Sequence, residues 1–333
     1  MDNILKKEGK RMKRIHTLAI ALFAIMTITG SALQGSEVKK SKKVQDVQVY
    51  SATDSKITSK TIEAAFDAAG LVMIGNNDMN KPFAARFTKL HYKKYYLAMF
   101  MHTDLTFKLV KKYPKFGALS PLTMSIWGDG TTWNIATLTI NAMARSTDIP
   151  VNDPDLIAYT DLVTATLKKA LPNGSFIDLN HTVKFPNKTL ATDFTMKVEL
   201  GDDQTAEEFV EDFEAEFEAE MEPLGFLLPN YTNMQEEVFD DKGYTDLYDY
   251  YHTYSICKFD VIYPVSEKYP EAGAWAPCSF YIYKRKGENT MYMGFLSVEN
   301  WITTLDMKDE EEGVIKLREA QAFIENIINE ASE

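Results

Sequence analysis

A ten-residue segment of this chain recurs 156 residues later without a gap. Residues 112–121 read KYPKFGALSP, and residues 268–277 read KYPEAGAWAP. The same spacing places Tyr95 on Tyr251 and Asp104 on Asp260, so the register holds over about forty residues. Self-similarity at one fixed spacing predicts two copies of one structural module. Each copy would have roughly 130 to 150 residues, a normal size for a domain with its own core.

Local patterns predict the same order of elements in both copies. The order is a strand, a helix, a buried strand, a short helix, a hairpin and a closing helix. The first closing helix is predicted to begin at Asn152 or Asp153, and Thr205 to Glu208 has the spacing of a capping box for a helix of the second copy. Leu171 to Ser175 reads LPNGS, a turn composition that favours a boundary. We therefore predict a first module at residues 44–172 and a second at 175–331.

The N-terminal residues predict export. A basic head at residues 12–16 precedes a run of about a dozen apolar residues, and small residues follow at Gly30 and Ala32. This is typical of a signal peptide at residues 1–32, with Met12 as an alternative start. An uncleaved membrane anchor is the competing interpretation, although a spanning helix needs about 20 apolar residues. A polar linker at residues 33–43 would follow, and no later run is predicted to span a membrane.

The charge of the chain argues against a polyanionic partner. The whole sequence has 36 basic and 48 acidic residues and a formal net charge of −12. Removing residues 1–32 takes away six basic and two acidic residues, and the net charge becomes −16. Phosphate backbones are bound by clustered lysine and arginine. Nucleic acid is therefore not expected as a partner.

The repeated segment and its surroundings resemble a bacterial family called domain of unknown function 302. Residues 95–126 and 251–282 carry the resemblance: a strand, an aspartate, a short helix, a Tyr-Pro corner, a glycine, and a proline that leads into an apolar strand. The pair Pro277-Cys278 also looks like that family. The resemblance implies an α+β fold of two tandem modules, each a curved antiparallel sheet with helices packed on one side, similar to the TATA-binding protein. It implies no reaction, and a shared fold does not imply DNA binding.

Two cysteines, Cys257 and Cys278, are the only ones in the chain. In the repeat register they replace Met101 and Leu122, which predicts apolar positions on the strands that flank the short helix. Outside the cytoplasm such a pair can form a disulfide, and buried thiols or a redox or metal role with His252 are the alternatives.

The polar residues shared by the copies are candidate ligand-binding residues. They are Asp104, Lys112, Tyr113, Asp260, Lys268 and Tyr269. Structural roles are the alternative, with the aspartates as helix caps, the tyrosines packed beside the proline corners and the lysines at helix C-termini. The acidic face of the helix that follows Thr205 is interpreted as a solvated surface.

These patterns contain no specific catalytic motif, and they indicate neither a cofactor nor a metal. The leading hypothesis is an exported, non-enzymatic protein that binds a small molecule or an envelope protein. The alternative is an accessory enzyme that depends on a thiol or a metal and uses Cys257, Cys278 and His252.

Overall fold

The first sheet is built from strands that are far apart in sequence. The computed structural model describes residues 45–181 and 190–332, so the predicted signal peptide and the linker lie outside the described residues. Its elements in chain order are β1 (Val47–Thr53), α1 (Ser59–Asp67), β2 (Val72–Asp78), α2 (Asn80–Arg86), β3 (Lys94–Met101), α3 (Thr103–Lys112), β4 (Leu122–Gly128), β5 (Thr132–Leu138), α4 (Ile140–Thr147), α5 (Pro154–Ala170) and β6 (Ser175–Ile177). The strands lie in the order β2-β3-β4-β5-β1-β6, and each pair is antiparallel.

The second sheet repeats the strand order of the first sheet. Within the described residues it has no strand that corresponds to β6. Its elements are β7 (Ala191–Lys197), α6 (Ala206–Met221), β8 (Leu227–Asn233), β9 (Tyr248–Cys257), α7 (Phe259–Lys268), β10 (Cys278–Arg285), β11 (Thr290–Leu296), α8 (Glu299–Thr304) and α9 (Glu312–Ala331). The strands lie in the order β8-β9-β10-β11-β7, again antiparallel. Two antiparallel sheets with packed helices confirm the predicted α+β class.

Each sheet packs one face against helices through aromatic side chains. Phe66 of α1 meets Phe100 of β3 with ring centroids 5.1 Å apart, and Phe217 of α6 meets Phe280 of β10 at 5.0 Å. These four rings are buried. The buried apolar residues of both sheets nevertheless form one continuous core. The expectation of a separate core for each module is therefore wrong, because the sheets also pack on each other.

The start of the second module is also corrected. Ser175, predicted to begin a strand of the second module, instead begins β6, which pairs with β1 of the first sheet. The chain can turn back there because Asn173 adopts a φ of 60° and Gly174 leaves room beside the carbonyl of Ser51. The Tyr50 hydroxyl donates a hydrogen bond to the carbonyl of Gly174 at 2.8 Å and fixes this turn.

The predicted capping box is present, but the two aspartates predicted as helix caps are not caps. Thr205 and Glu208 form the predicted capping box, with hydrogen bonds of 3.1 and 2.8 Å. Asp104 does not cap α3, because the helix begins one residue earlier and the ring of His102 accepts the capping bond from the backbone of Leu105 at 3.3 Å. Asp260 likewise lies inside the first turn of α7 and is not its cap.

Candidate functional site

The segment repeated in the sequence forms a short 3-10 turn in each half, and each turn packs against the opposite sheet. The first corner (Pro114–Leu119) contacts β10 and β11, while the second corner (Pro270–Ala274) contacts β4 and β5. Tyr95 donates a hydrogen bond to the first carbonyl of the second corner at 3.3 Å, and Tyr251 donates to the first carbonyl of the first corner. The two halves therefore interlock reciprocally through the repeated segment.

A glycine in each corner makes this approach possible. A Cβ atom on Gly273 would lie 2.5 Å from Leu97 Cδ2 and 2.5 Å from Ser125 Cβ. A Cβ atom on Gly117 would lie 2.8 Å from Tyr281 Cβ and would also overlap the hydroxyl of Tyr251. These contacts are closer than packed carbon atoms tolerate. The glycine of the repeated segment is thus required by contact between the sheets.

Helices flank the interlocked corners on both sides. At the end of α2, Phe87 stacks on Tyr263 of α7 with ring centroids 3.8 Å apart, and Tyr263 donates a hydrogen bond to the carbonyl of Lys89 at 2.7 Å. On the other side, Phe107 of α3 packs against Phe239 with ring centroids 5.3 Å apart. Both sheets are therefore held in one arrangement by aromatic contacts beside the corners.

The repeated Lys-Tyr pair lies at the start of the closing helix in each half. Lys112 Nζ and Tyr113 Oη lie 3.2 and 3.1 Å from the Asp153 carboxylate, which also caps α5 by accepting two backbone hydrogen bonds. Lys268 Nζ and Tyr269 Oη lie 2.8 and 3.0 Å from the carboxylate of Glu311, the residue before α9. Lys112 and Lys268 lie in the last turns of α3 and α7, as the structural alternative predicted, and both Lys-Tyr pairs also contact the carboxylates at the starts of α5 and α9.

The two repeated aspartates are not part of that arrangement. Asp104 is exposed and forms an ion pair with Lys242, whose hydrogen bond lowers the pKa of the aspartate. Asp260 is exposed in the first turn of α7. The structure thus does not bring the six repeated polar residues together around one space.

A cleft of about 500 Å³ opens between the two sheets beside the interlocked corners. It has the size of a small-molecule site. The first half contributes the end of β2, the start of α2 and one side chain of β3; the second half contributes β8 and the segments that surround the second corner. The lining residues are Asn76, Asn77, Asp78, Met79, Lys81, Pro82, Leu97, Leu227, Pro229, Cys257, Phe259 and Pro277.

The two walls of the cleft differ in chemistry. The wall from the first half is mainly polar, and the wall from the second half is apolar apart from the Cys257 thiol. Asn76 is oriented by a hydrogen bond of 3.1 Å from its Nδ2 to Glu63 Oε2. Its buried Oδ1 has no hydrogen-bond partner among the described residues. Asp78 adds a half-buried carboxylate that accepts one backbone hydrogen bond, from Asn80 at 3.1 Å. Asp78 is therefore the carboxylate acceptor of this wall, because Asn76 Oδ1 is closed off from solvent.

Of the two cysteines, Cys257 lines the cleft, and Cys278 lies on the neighbouring strand outside the cleft lining. Cys257 ends β9 and Cys278 begins the neighbouring strand β10, so the predicted placement on strands that flank the short helix is correct. Both are free thiols in the structure. Burial raises the pKa of Cys257 to about 12, and burial together with the nearby Cys257 raises the pKa of Cys278 to about 12. The thiolate is the reactive form of cysteine, so these buried thiols are poor nucleophiles at neutral pH.

His252 is not brought to the cysteines. It lies five residues before Cys257 on β9, so the two side chains point to opposite faces of the strand. The ring is buried between two glutamates of α6: Nδ1 is 2.7 Å from Glu214 Oε1, and Nε2 is 3.2 Å from Glu207 Oε1. Burial opposes the charge of the ring, but the two carboxylates prevail and raise the pKa of His252 to about 9.

The buried carboxylate of Glu214 was missed by the sequence reasoning. The acidic face of α6 was interpreted as solvated, whereas Glu214 is buried against His252. The seven-residue spacing of Glu207 and Glu214 places both on one side of the helix and was the available signal.

Within the described residues, no group of three or more histidine, cysteine, aspartate or glutamate side chains is arranged to hold a metal ion. No helix among residues 45–181 and 190–332 is both long and apolar enough to cross a membrane.

Comparisons with known proteins give a match for part of the second half of the chain. Residues 203–331 match the model of a family described as Domain of unknown function DUF302, which covers α6 to α9. A crystal structure of an uncharacterized conserved protein DUF302 from Bacillus stearothermophilus is also similar, with 14% identity and a TM-score of 0.32, over 44% of this chain and 97% of that one. None of the curated proteins matches the sequence. The family model thus supports the resemblance over residues 203–331, for one copy of the domain.

Proposed function

We propose that this protein is a non-enzymatic binding protein of the bacterial cell envelope, and that it holds a small molecule in the cleft between its two sheets. The cleft itself carries the proposal. It has a suitable volume, and it combines an apolar wall with polar residues on the other wall. Because both halves contribute a wall, the site needs the two sheets together.

The interlocked corners support a cleft that exists before the ligand arrives. Its two walls belong to segments joined by the second corner, which packs on β4 and β5, and by the stacked rings of Phe87 and Tyr263. A binding site that is already formed does not spend binding free energy on ordering its own residues. We therefore infer that the two sheets provide a fixed scaffold for the cleft.

The state of the thiols favours binding over the alternative of a thiol-dependent enzyme. Cys257 and Cys278 are protonated at neutral pH because burial raises their pKa. His252 is buried between two glutamates, on the face of β9 opposite to Cys257 and four residues along the strand from the position that pairs with Cys278, so it is not positioned to accept a proton from either thiol. A nucleophilic cysteine needs a base within hydrogen-bond reach.

We further propose that the first half, predicted at residues 44–172, is a second copy of the matched domain. The equal order of strands in the two sheets supports this, as does the 156-residue repeat. The two copies would then have diverged in the residues that line the cleft, since Asn76 and Asp78 lie in one copy and Cys257 in the other.

Blocking the cleft tests the proposal. N-phenyl-1-naphthylamine, a neutral fluorescent probe with one N–H donor between a phenyl and a naphthyl group, is titrated into the purified protein. We expect saturable binding of one molecule with increased emission. Asn77→Trp places a large ring in the cleft from an exposed position of β2, and it is expected to weaken binding at least tenfold, which corresponds to about 1.4 kcal/mol.

Val72→Trp is the matched control for this experiment. Val72 is exposed on the same strand but does not line the cleft. This variant should bind the probe as the unmodified protein does. Equal binding by the Asn77 and Val72 variants would show that the probe does not occupy the cleft and would contradict the proposal.

Export is tested separately. The proposal of an envelope protein rests on the basic and apolar pattern of residues 12–32. When the full chain is produced in a bacterium with a periplasm, we expect the periplasmic fraction to contain protein whose N-terminal residue is Leu33. Retention of uncleaved protein in the cytoplasm would contradict export, while uncleaved protein in the membrane fraction would favour the anchor.

A further inference from the structure

The polar wall of the cleft carries two charges of opposite sign. Asp78 ends β2 and Lys81 lies in the first turn of α2, so both side chains start from the same turn of the chain. Neither forms an ion pair with the other or with any other described residue. The carboxylate and the ammonium group are therefore both available to a ligand in the cleft.

The second half contains a counterpart of this turn. β8 is an edge strand next to β9, as β2 is an edge strand next to β3. Asp78 pairs with Tyr96 on β3, and Asn233 pairs with His252 on β9. The 156-residue spacing of the repeat relates Tyr96 to His252. Asn233 is therefore the counterpart of Asp78.

The turn after β8 is stabilised without a carboxylate. Asn233 Oδ1 accepts a backbone hydrogen bond from Glu236 at 3.2 Å, as Asp78 Oδ1 accepts one from Asn80 at 3.1 Å. Glu236 also follows Asn233 at the spacing at which Lys81 follows Asp78. The opposite charges of Asp78 and Lys81 therefore belong to the copy whose turn lines the cleft, and the turn itself does not require them.

The opposite wall offers an apolar surface that is held in place. Leu227, Phe259 and Pro277 belong to this wall. The ring of Phe259 lies edge-on to Phe83 with ring centroids 6.3 Å apart, and the guanidinium group of Arg86 lies 4.8 Å from the centre of the Phe259 ring. A ligand with an apolar group that covers this wall would remove apolar surface from water, which favours binding.

We infer that the ligand of the cleft is a small zwitterion with an apolar side chain, such as a free apolar α-amino acid. Its ammonium group lies at Asp78, its carboxylate lies at Lys81, and its side chain covers Leu227 and Phe259. A ligand with a single charge would pair with one of the two charged residues and meet a like charge at the other. This inference rests on the proposed binding function and adds the class of ligand.

Ligands that lack one charge test this inference. Leucine and phenylalanine, with the amide and the N-acetyl derivative of each, are titrated calorimetrically into the purified protein. Both zwitterions should bind saturably and displace N-phenyl-1-naphthylamine. Each derivative should bind about fivefold more weakly than its parent, because the amide has no carboxylate and the N-acetyl derivative has no ammonium group. Glycine should bind about tenfold more weakly than leucine, because it has no side chain to cover the apolar wall.

Two variants that each remove one charge assign the two ends of the ligand. Asp78→Asn introduces the residue of the second half, which supports the same turn. It should weaken leucine binding about fivefold and leave the affinity for N-acetylleucine within about twofold. Lys81→Gln should weaken leucine binding about threefold, since Lys81 is exposed, and leave the affinity for leucinamide within about twofold.

Lys60→Gln is the matched control, because Lys60 is exposed on α1 and does not line the cleft. This variant should bind every ligand as the unmodified protein does. Thermal unfolding of the three variants near the temperature of the unmodified protein establishes that they fold. The comparison of zwitterions with their derivatives uses the unmodified protein alone and does not depend on any variant.

The outcomes separate this inference from the proposed function. The inference is overturned if neither zwitterion binds, or if the derivatives bind as tightly as their parents. An equal loss of leucine and leucinamide binding in the Lys81 variant would also overturn it, because no carboxylate would then lie at Lys81. Each of these results leaves the proposed function standing when Asn77→Trp weakens binding of the naphthylamine probe, whereas failure of that probe experiment removes the proposed function as well.

Discussion

Gly273→Ala is expected to lower the free energy of unfolding by about 3 kcal/mol, and Gly117→Ala by a similar amount. In each variant the added methyl group enters the reciprocal contact between a corner and the opposite sheet. At Gly273 it meets the Cβ of Ser125 at 2.5 Å and the backbone Cα of Ser125 at 3.1 Å, and a backbone atom in a central strand cannot move aside alone. Urea unfolding followed by tryptophan fluorescence measures the loss.

Gly201→Ala provides the matched control. The nearest atom to a Cβ at Gly201 is the side-chain oxygen of Gln204 at 3.7 Å, an ordinary contact distance. This variant should remain within about 0.5 kcal/mol of the unmodified protein. Equal free energies of unfolding for the Gly201 and Gly273 variants would mean that the corners do not pack tightly against the opposite sheet. That result would contradict the interlocked arrangement.

His252→Gln is expected to destabilise the protein by about 2.5 kcal/mol at pH 7, and the difference should nearly vanish by pH 10. The imidazolium is buried between Glu207 and Glu214, and its pKa of about 9 lies above its ordinary value of 6.5. A raised folded-state pKa contributes stability that is fully present below pH 6.5 and is lost as the pH rises through 9. Each unit of pKa corresponds to about 1.4 kcal/mol.

The pH dependence distinguishes this charge effect from simple packing. Urea unfolding is measured for both proteins at pH 7, 8, 9 and 10, and only the difference between them is interpreted, because tyrosines and lysines titrate equally in both. Glu207→Gln should have a smaller effect than Glu214→Gln, since the Glu207 side chain is 42% exposed and that of Glu214 only 9%. A difference that stays constant from pH 7 to pH 10 would show that the buried ring is neutral.

The sequence predicted the local elements well, because their signals are local. The capping box at Thr205, the cap at Asp153 and the hairpin strands each depend on neighbouring residues, and the structure contains them. The repeat also identified the corners as structural. It could not reveal that each corner lies on the opposite sheet, since that contact joins residues about 150 positions apart.

The candidate site was harder to predict for the same physical reason. The cleft is made by residues from both halves, and the sequence marks neither Asn76 nor Asp78 as unusual. Cys257 was predicted at an apolar strand position, but its place in the wall of the cleft follows only from the packing of the second half against the first. Glu214 was hidden in a run of acidic residues, and only the position of His252 on β9 distinguishes it from solvated neighbours.

Hydrogen–deuterium exchange of the protein with and without saturating N-phenyl-1-naphthylamine tests most directly whether the cleft between the sheets is the binding site. Binding there should slow amide exchange in residues 76–82 of the first half and in residues 227–231 of the second half at the same probe concentration. The turn at residues 129–131, in which Asp129 and Thr131 are exposed, should exchange at an unchanged rate. Protection confined to one half, or found only outside these two segments, would contradict a site shared by the two sheets.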